Sequence, residues 1–161
     1  MMFTKRDLCG GSRIKAVFFD VDGTLFSHTQ KKVPESARIS LGKLSEKGIQ
    51  CVLATGRHML ELPLLPGCGI TRWNDYGVDI IAASGDKKAG IEEYLRKSHI
   101  RREETVAFGD GENDLEMLQY VQVGVAMGNA DDCVKEIADY VTASVDHDGI
   151  SEALTALKDC F

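Results

Sequence analysis

Five apolar runs of four to six residues punctuate the chain: 16–19, 49–54, 78–83, 105–108 and 123–126. Each is too short for a buried helix and the right length for a strand covered on both faces. Between them lie stretches with helical spacing. Pro34 to Lys47 places Ile39, Leu41 and Leu44 on one face, with Gly48 where a helix is stopped. Ala89–Lys97, Asn113–Tyr120, Asp131–Ala138 and Ile150–Lys158 are read as further helices, and Tyr140-Val141 as a brief last strand. Strands that alternate with helices in this way pair in parallel through βαβ units, so the fold class is α/β with a mainly parallel sheet.

At 161 residues and 43% hydrophobic content the chain makes one domain. Residues 1–13 form an N-terminal extension expected to be exposed, and 14–161 the core. A formal charge of −6, with 19 basic against 25 acidic residues, excludes a binder of nucleic-acid backbones. No apolar run spans a bilayer, and MMFTKRDLCGGSR lacks the apolar stretch of a secretory signal. The five cysteines (Cys9, Cys51, Cys68, Cys133 and Cys160) contain no C-x-x-C pair. Each reads as a lone thiol, which gives a reduced, cytoplasmic compartment.

Ligands of an open α/β sheet bind beyond the carboxyl ends of its strands. Three strand ends carry functional groups there: Asp20-Val21-Asp22-Gly23-Thr24, Thr55-Gly56-Arg57, and Gly109-Asp110-Gly111-Glu112-Asn113-Asp114. Lys87-Lys88 precedes the helix between the second and third. Asp20, Asp22, Asp110 and Asp114 on one edge would repel one another and call for a cation, and oxygen-only ligands favour a hard ion such as Mg²⁺. Thr55, the amides around Gly23 and Gly56, and a lysine are donors of the kind a phosphate needs. Asp20 is then placed to attack phosphorus, and Asp22 to protonate the leaving oxygen and activate water. Each motif alone has a plainer reading: D-x-D-G-T as a turn, T-G-R as a strand-to-turn junction, Lys87-Lys88 as a solvated helix start, and G-D-G-E-N-D as a capped turn. Their order and their shared position at strand ends carry the argument. His28 and His58 lie near these motifs but read as surface groups, and Arg57 receives no catalytic role.

With those residues in place, the chain resembles the haloacid dehalogenase superfamily of phosphotransferases, in its Cof-type sugar-phosphatase-like branch, over roughly Ile14 to Leu157. FFDVDGTL, LATGR, the lysine of KKAGI, GDGENDLEML, GVAMGNA and ADYVT are similar to that family's motifs in the family's order. The resemblance implies a Rossmann-like three-layer αβα sandwich. It implies catalysis by Asp20 as nucleophile and Asp22 as acid and base. Phosphate would be held by Thr55, Gly56, Lys87 (with Lys88 as the alternative) and Asn113. Mg²⁺ would be bound by Asp20, the Asp22 carbonyl and Asp110, with Asp114 nearby. The substrate implied is a small phosphorylated metabolite of the sugar-phosphate class.

The chain departs from that branch in one respect. Only 29 residues separate Arg57 from Lys87, where the branch carries a cap domain. Residues 58–77 read as a short linker at the insertion point, giving a single core domain without cap. A weak, promiscuous Mg-dependent phosphomonoester hydrolase is expected, its site open to water or, instead, covered by an oligomeric neighbour or a macromolecular substrate. Leu60 to Leu65 is a candidate contact surface, or equally a helix packed on the core. The alternative is an impaired core scaffold that binds Mg²⁺ and phosphate but turns over little. A receiver-type phospho-switch is disfavoured because its phosphoacceptor ends a middle strand, whereas Asp20 ends the first. A P-loop NTPase is excluded by the missing G-x-x-x-x-G-K-[ST].

Overall fold

The computed structural model describes residues 8–56, 78–82 (as backbone) and 86–161. Arg57, His58, the 58–77 linker, the Leu60–Leu65 cluster and Cys68 lie outside the described residues. Among the described residues, six strands form one parallel sheet: β1 (Ala16–Phe19), β2 (Gln50–Thr55), β3 (Val78–Ala82), β4 (Thr105–Gly109), β5 (Val123–Ala126) and β6 (Tyr140–Val141). Five α-helices among the described residues flank the sheet: α1 (Glu35–Glu46), α2 (Lys87–Ser98), α3 (Leu115–Tyr120), α4 (Asp132–Ile137) and α5 (Gly149–Ala156).

The period-two geometry of a strand sends neighbouring side chains to opposite faces, and both faces are covered here. Val17 and Phe19 of β1 enter an apolar cluster with Leu41 and Leu44 of α1 and Ile150 and Leu154 of α5. Ala16 and Phe18 point the other way, into a cluster with Ile91 and Leu95 of α2, Met117 and Leu118 of α3, and Val134 of α4. The three-layer αβα sandwich expected from the alternation is therefore present. A chain buried on both faces needs continuous apolar strands rather than alternating ones, which is why these runs were recognisable as strands.

The strand order is β3-β2-β1-β4-β5-β6. The chain moves outward from β1 through β2 to β3, then returns to β1's other side and moves outward again from β4. The order reverses between β1 and β4, and at such a switch point the loops leaving adjacent strands part to open a crevice. β1 and β4 pair Phe19 with Phe108, so the loops that follow them begin side by side. The Asp20 amide continues the ladder by donating to the Phe108 carbonyl at 3.0 Å.

One expectation about the cysteines is corrected. Cys9 and Cys160 form a disulfide across a sequence separation of 151, while Cys51 and Cys133 are free thiols. The pairing was hidden because spacing along the chain says nothing about two ends that a parallel sheet brings together. The argument for a reduced compartment, which rested on lone thiols, lapses with it. The segment expected to be exposed also packs at its end: Cys9 is buried and Leu8 lies against the first cluster. Gln122 anchors that segment by donating to the Leu8 carbonyl at 2.9 Å. Among the described residues, no helix is long and apolar enough to cross a membrane.

Candidate active site

Asp20 leaves β1 into a tight turn. The Phe26 amide donates back to the Val21 carbonyl at 2.7 Å, and Gly23 stands at φ +79°, a conformation that glycine takes without steric cost. A side chain there would also collide with the Asp110 carboxylate, so Gly23 lets the β1 and β4 loops touch. Thr24, fully buried, donates from Oγ1 to Asp110 Oδ1 at 2.9 Å. Behind Asp110 a single turn, Glu112–Asp114, returns the chain so that Asp114 Oδ2 accepts from the amides of Asp110 and Gly111 at 3.0 and 3.2 Å. Gly109 leaves room for this, since a Cβ there would lie 2.6 Å from that of Asp114.

Lys87 comes from the other side, in the first turn of α2. Asp86 caps that helix by accepting from the Ala89 amide at 3.1 Å. The Lys87 ammonium lies 2.5 Å from both Asp20 Oδ1 and Asp114 Oδ1, and the lysine is only 5% exposed. Lys88, one residue on, turns to the outer face, where its ammonium lies 5.7 Å from the centre of the Tyr120 ring. Asp20, Asp22, Thr55, Gly56, Asp110, Gly111 and Asn113 line a cavity of about 370 Å³. The side chains singled out from three separate stretches of sequence thus meet around one opening, with Lys87 and Asp114 packed beneath it.

The electrostatics follow from that packing. Burial pushes the Asp20 carboxyl up to about 7, helped by the Asp114 charge and opposed by Lys87. Asp110 is raised mainly by burial, against the hydrogen bond from Thr24 and with the repulsion of Asp114. For Lys87, burial works to lower the pKa, but Asp20 and Asp114 outweigh it and hold the ammonium charged. Asp20, Asp110 and Asp114 each bring a carboxylate oxygen within 4.8 Å of the others. Three carboxylates against one ammonium leave an excess of two negative charges when all are ionised, and every donor is a hard oxygen. That set fits a divalent cation such as Mg²⁺.

Two residues make contacts that had no counterpart in the reading of motifs. Thr24 was part of a recognised motif, yet its bond to Asp110 becomes visible only when β1 and β4 are adjacent. Asn129, in the loop after β5, donates to the Gly23 carbonyl and accepts from the Val145 amide, each at 2.8 Å. It ties the β1 loop to the far side of the sheet.

Comparison with known proteins follows the same stretches. A profile of haloacid dehalogenase-like hydrolases matches residues 17–66 and 62–154. YkrA of Bacillus subtilis (strain 168) is 45% identical over 92 residues, 57% of this chain and 36% of that protein. The 5-amino-6-(5-phospho-D-ribitylamino)uracil phosphatase YitU of the same organism is 42% identical over 77 residues, 48% of this chain and 28% of that protein. The chain spans about a third of the length of these two relatives. Among solved structures, it shares its fold with a 3-deoxy-D-manno-octulosonate 8-phosphate phosphatase from Moraxella catarrhalis. The TM-score is 0.74 and the identity 21%, covering 96% of this chain and 94% of that one.

Proposed function

The chain belongs to the haloacid dehalogenase-like hydrolases, and from that premise we propose that it hydrolyses phosphate monoesters through an aspartyl-phosphate. The observation that carries this reading is the Asp20 carboxylate, held against Lys87 at 2.5 Å on the floor of a cavity lined by Asp22, Thr55 and Asp110.

The chemistry proceeds in two displacements. An Asp20 oxygen bonds to phosphorus while the ester P–O bond breaks, its electron pair going to the leaving oxygen. Asp22 gives that oxygen a proton, and the alcohol departs. Asp22, now a carboxylate, takes a proton from water as the water oxygen bonds to phosphorus. The Asp20–phosphorus bond breaks, returning its electrons to Asp20 and releasing phosphate. Lys87 and the Thr55 hydroxyl face the phosphoryl oxygens, with the Gly56 amide and Asn113 at the rim. Asp20, Asp110 and the Asp22 backbone carbonyl, with Asp114 close by, would hold Mg²⁺, which supplies charge neutralisation for the phosphoryl group.

The substrate class we propose is a small phosphorylated metabolite such as a sugar phosphate, a choice supported by the relatives' substrates. The profile matches in two segments that meet within the short 58–86 stretch, which supports a core without a cap. An uncovered site gives up remote binding energy and stays wet, so turnover is expected to be weak and tolerant of the leaving group unless a second copy covers it.

The test is Mg²⁺-dependent phosphate release from para-nitrophenyl phosphate, comparing this chain with Asp20→Asn. Metal-dependent release that disappears in the variant supports the reading. Equal release from both would overturn it. A folded chain that binds Mg²⁺ but releases no phosphate would instead be the core scaffold.

A further inference from the structure

The β1 loop runs on into a hairpin whose one exposed ring points back at the site. Ser27 and Lys32 pair across it, Ser27 N donating to the Lys32 carbonyl at 2.9 Å. The Ser27 hydroxyl, fully buried, donates to Asp146 and accepts from the Gln30 amide at 2.9 Å. His28 follows that anchor directly. Its ring meets the Phe26 ring edge-on, with centres 5.3 Å apart at 82°, and Phe26 is itself buried. His28 Nε2 lies 3.1 Å from Asp22 Oδ1.

An exposed histidine beside an exposed carboxylate usually does little, because both side chains move freely and water screens them. Here the imidazole is held by the edge of a buried ring on a hairpin pinned by a buried serine. Its partner is the carboxylate assigned to proton transfer. That carboxylate must present one particular oxygen to the leaving group, and an N–H fixed on Oδ1 leaves Oδ2 for that task. The neutral Nε2–H ring and the imidazolium both supply this donor, so the role does not depend on the charge of the ring.

Building on the phosphatase reading above, we propose that His28 is a positioning residue for Asp22, orienting its carboxylate for proton delivery to the leaving oxygen. Only substrates whose alcohol needs that proton should feel its loss. The ratio kcat/KM covers the steps up to departure of the alcohol, and so isolates this event from the later attack of water.

The experiment compares kcat/KM of the parent chain, His28→Ala and His28→Gln on ethyl phosphate, a poor leaving group, and on para-nitrophenyl phosphate, a good one. Well-placed general acids contribute about a hundredfold or more, and loss of orientation forfeits part of this. His28→Ala should therefore lower kcat/KM on ethyl phosphate by about tenfold while leaving para-nitrophenyl phosphate within about twofold. His28→Gln, which keeps a donor, should recover most of the loss. An equal fall on both esters, or none on ethyl phosphate, overturns the positioning role and leaves the phosphatase reading intact. A parent chain with no Asp20-dependent hydrolysis of either ester overturns both.

Discussion

The Lys87 ammonium and the Asp114 carboxylate meet at 2.5 Å with almost no water around them, the lysine 5% exposed and the aspartate 0%. Asp114 is fixed on its other oxygen by two backbone amides. It therefore acts as the post against which Lys87 is braced toward Asp20. Removing one partner of a buried pair leaves an uncompensated charge and costs about 3–5 kcal/mol. Asp114→Asn keeps the shape, so a loss near the low end of that range is expected in urea unfolding, together with a fall in phosphate release of about a hundredfold. Unchanged stability in the variant would show that the pair is not a brace.

The excess negative charge of the carboxylate cluster gives a prediction for the metal. A cation that binds only the folded chain stabilises it by about 2.7 kcal/mol at a concentration one hundred times its dissociation constant. Mg²⁺ should raise the melting temperature of the parent chain, and chelation should reverse the rise. Asp110→Asn removes one carboxylate of the cluster and should flatten that response. Calorimetric scans with and without Mg²⁺ read both effects.

Gly23 is the tightest point between the β1 and β4 loops. Gly23→Ala would combine backbone strain at φ +79° with a collision against Asp110. The strain alone costs about 1 kcal/mol or more. The displaced Asp110 should also lose its bond from Thr24. The variant is expected to fold with a lowered melting temperature and to show no Mg²⁺-dependent phosphate release. A variant as active as the parent would mean that the two loops need not touch.

Glu104 supplies a pH dependence away from the site. Its carboxylate accepts from the Lys15 ammonium at 2.8 Å, the Arg101 amide at 2.9 Å and the Arg101 guanidinium at 3.1 Å. These partners, Lys15 first, hold its pKa down at about 2. An unfolded glutamate titrates near ~4.3. Its contribution is therefore complete above ~4.3 and is lost as the pH falls from there toward the folded value. In acid unfolding, Glu104→Gln should be less stable than the parent at neutral pH, and the gap should narrow below ~4. A gap that stays constant across this range would exclude the linkage.

Much of the fold was legible because β1, β2, β4 and β5 are buried along nearly their whole length. The run 123–126 coincides with β5, since a continuous apolar run has few other uses; Tyr140-Val141 coincides with β6 although it is only partly covered. Helix starts were less legible. The spacing placed the second helix at Ala89, but it begins at Lys87, because Asp86 rather than the apolar pattern sets the boundary. That shift of two residues is what seats the lysine within the helix's first turn. Likewise 113–120 divides into a single turn and a short helix, because the Asp114 carboxylate bonds to the amides of its own loop. That the three strand-end motifs meet could be expected because β-strand order brings motif ends together by rule. The contact of His28 with Asp22 could not, since it depends on the hairpin and on Phe26, neither of which has a spacing signature.

The Cys9–Cys160 bond gives the chain a topology as well as a stabilising link. From Cys9 to Cys160 the backbone and the sulfur bridge together make one covalent ring. A protease that cuts one peptide bond in that ring does not release a fragment; it converts a ring into a linear chain whose two parts stay joined. The cut protein would run as a single species until a thiol reagent opened the bridge, and the break would then appear as two. Within that ring, the sulfur bridge rather than any one peptide bond decides whether the two parts of a cut chain separate.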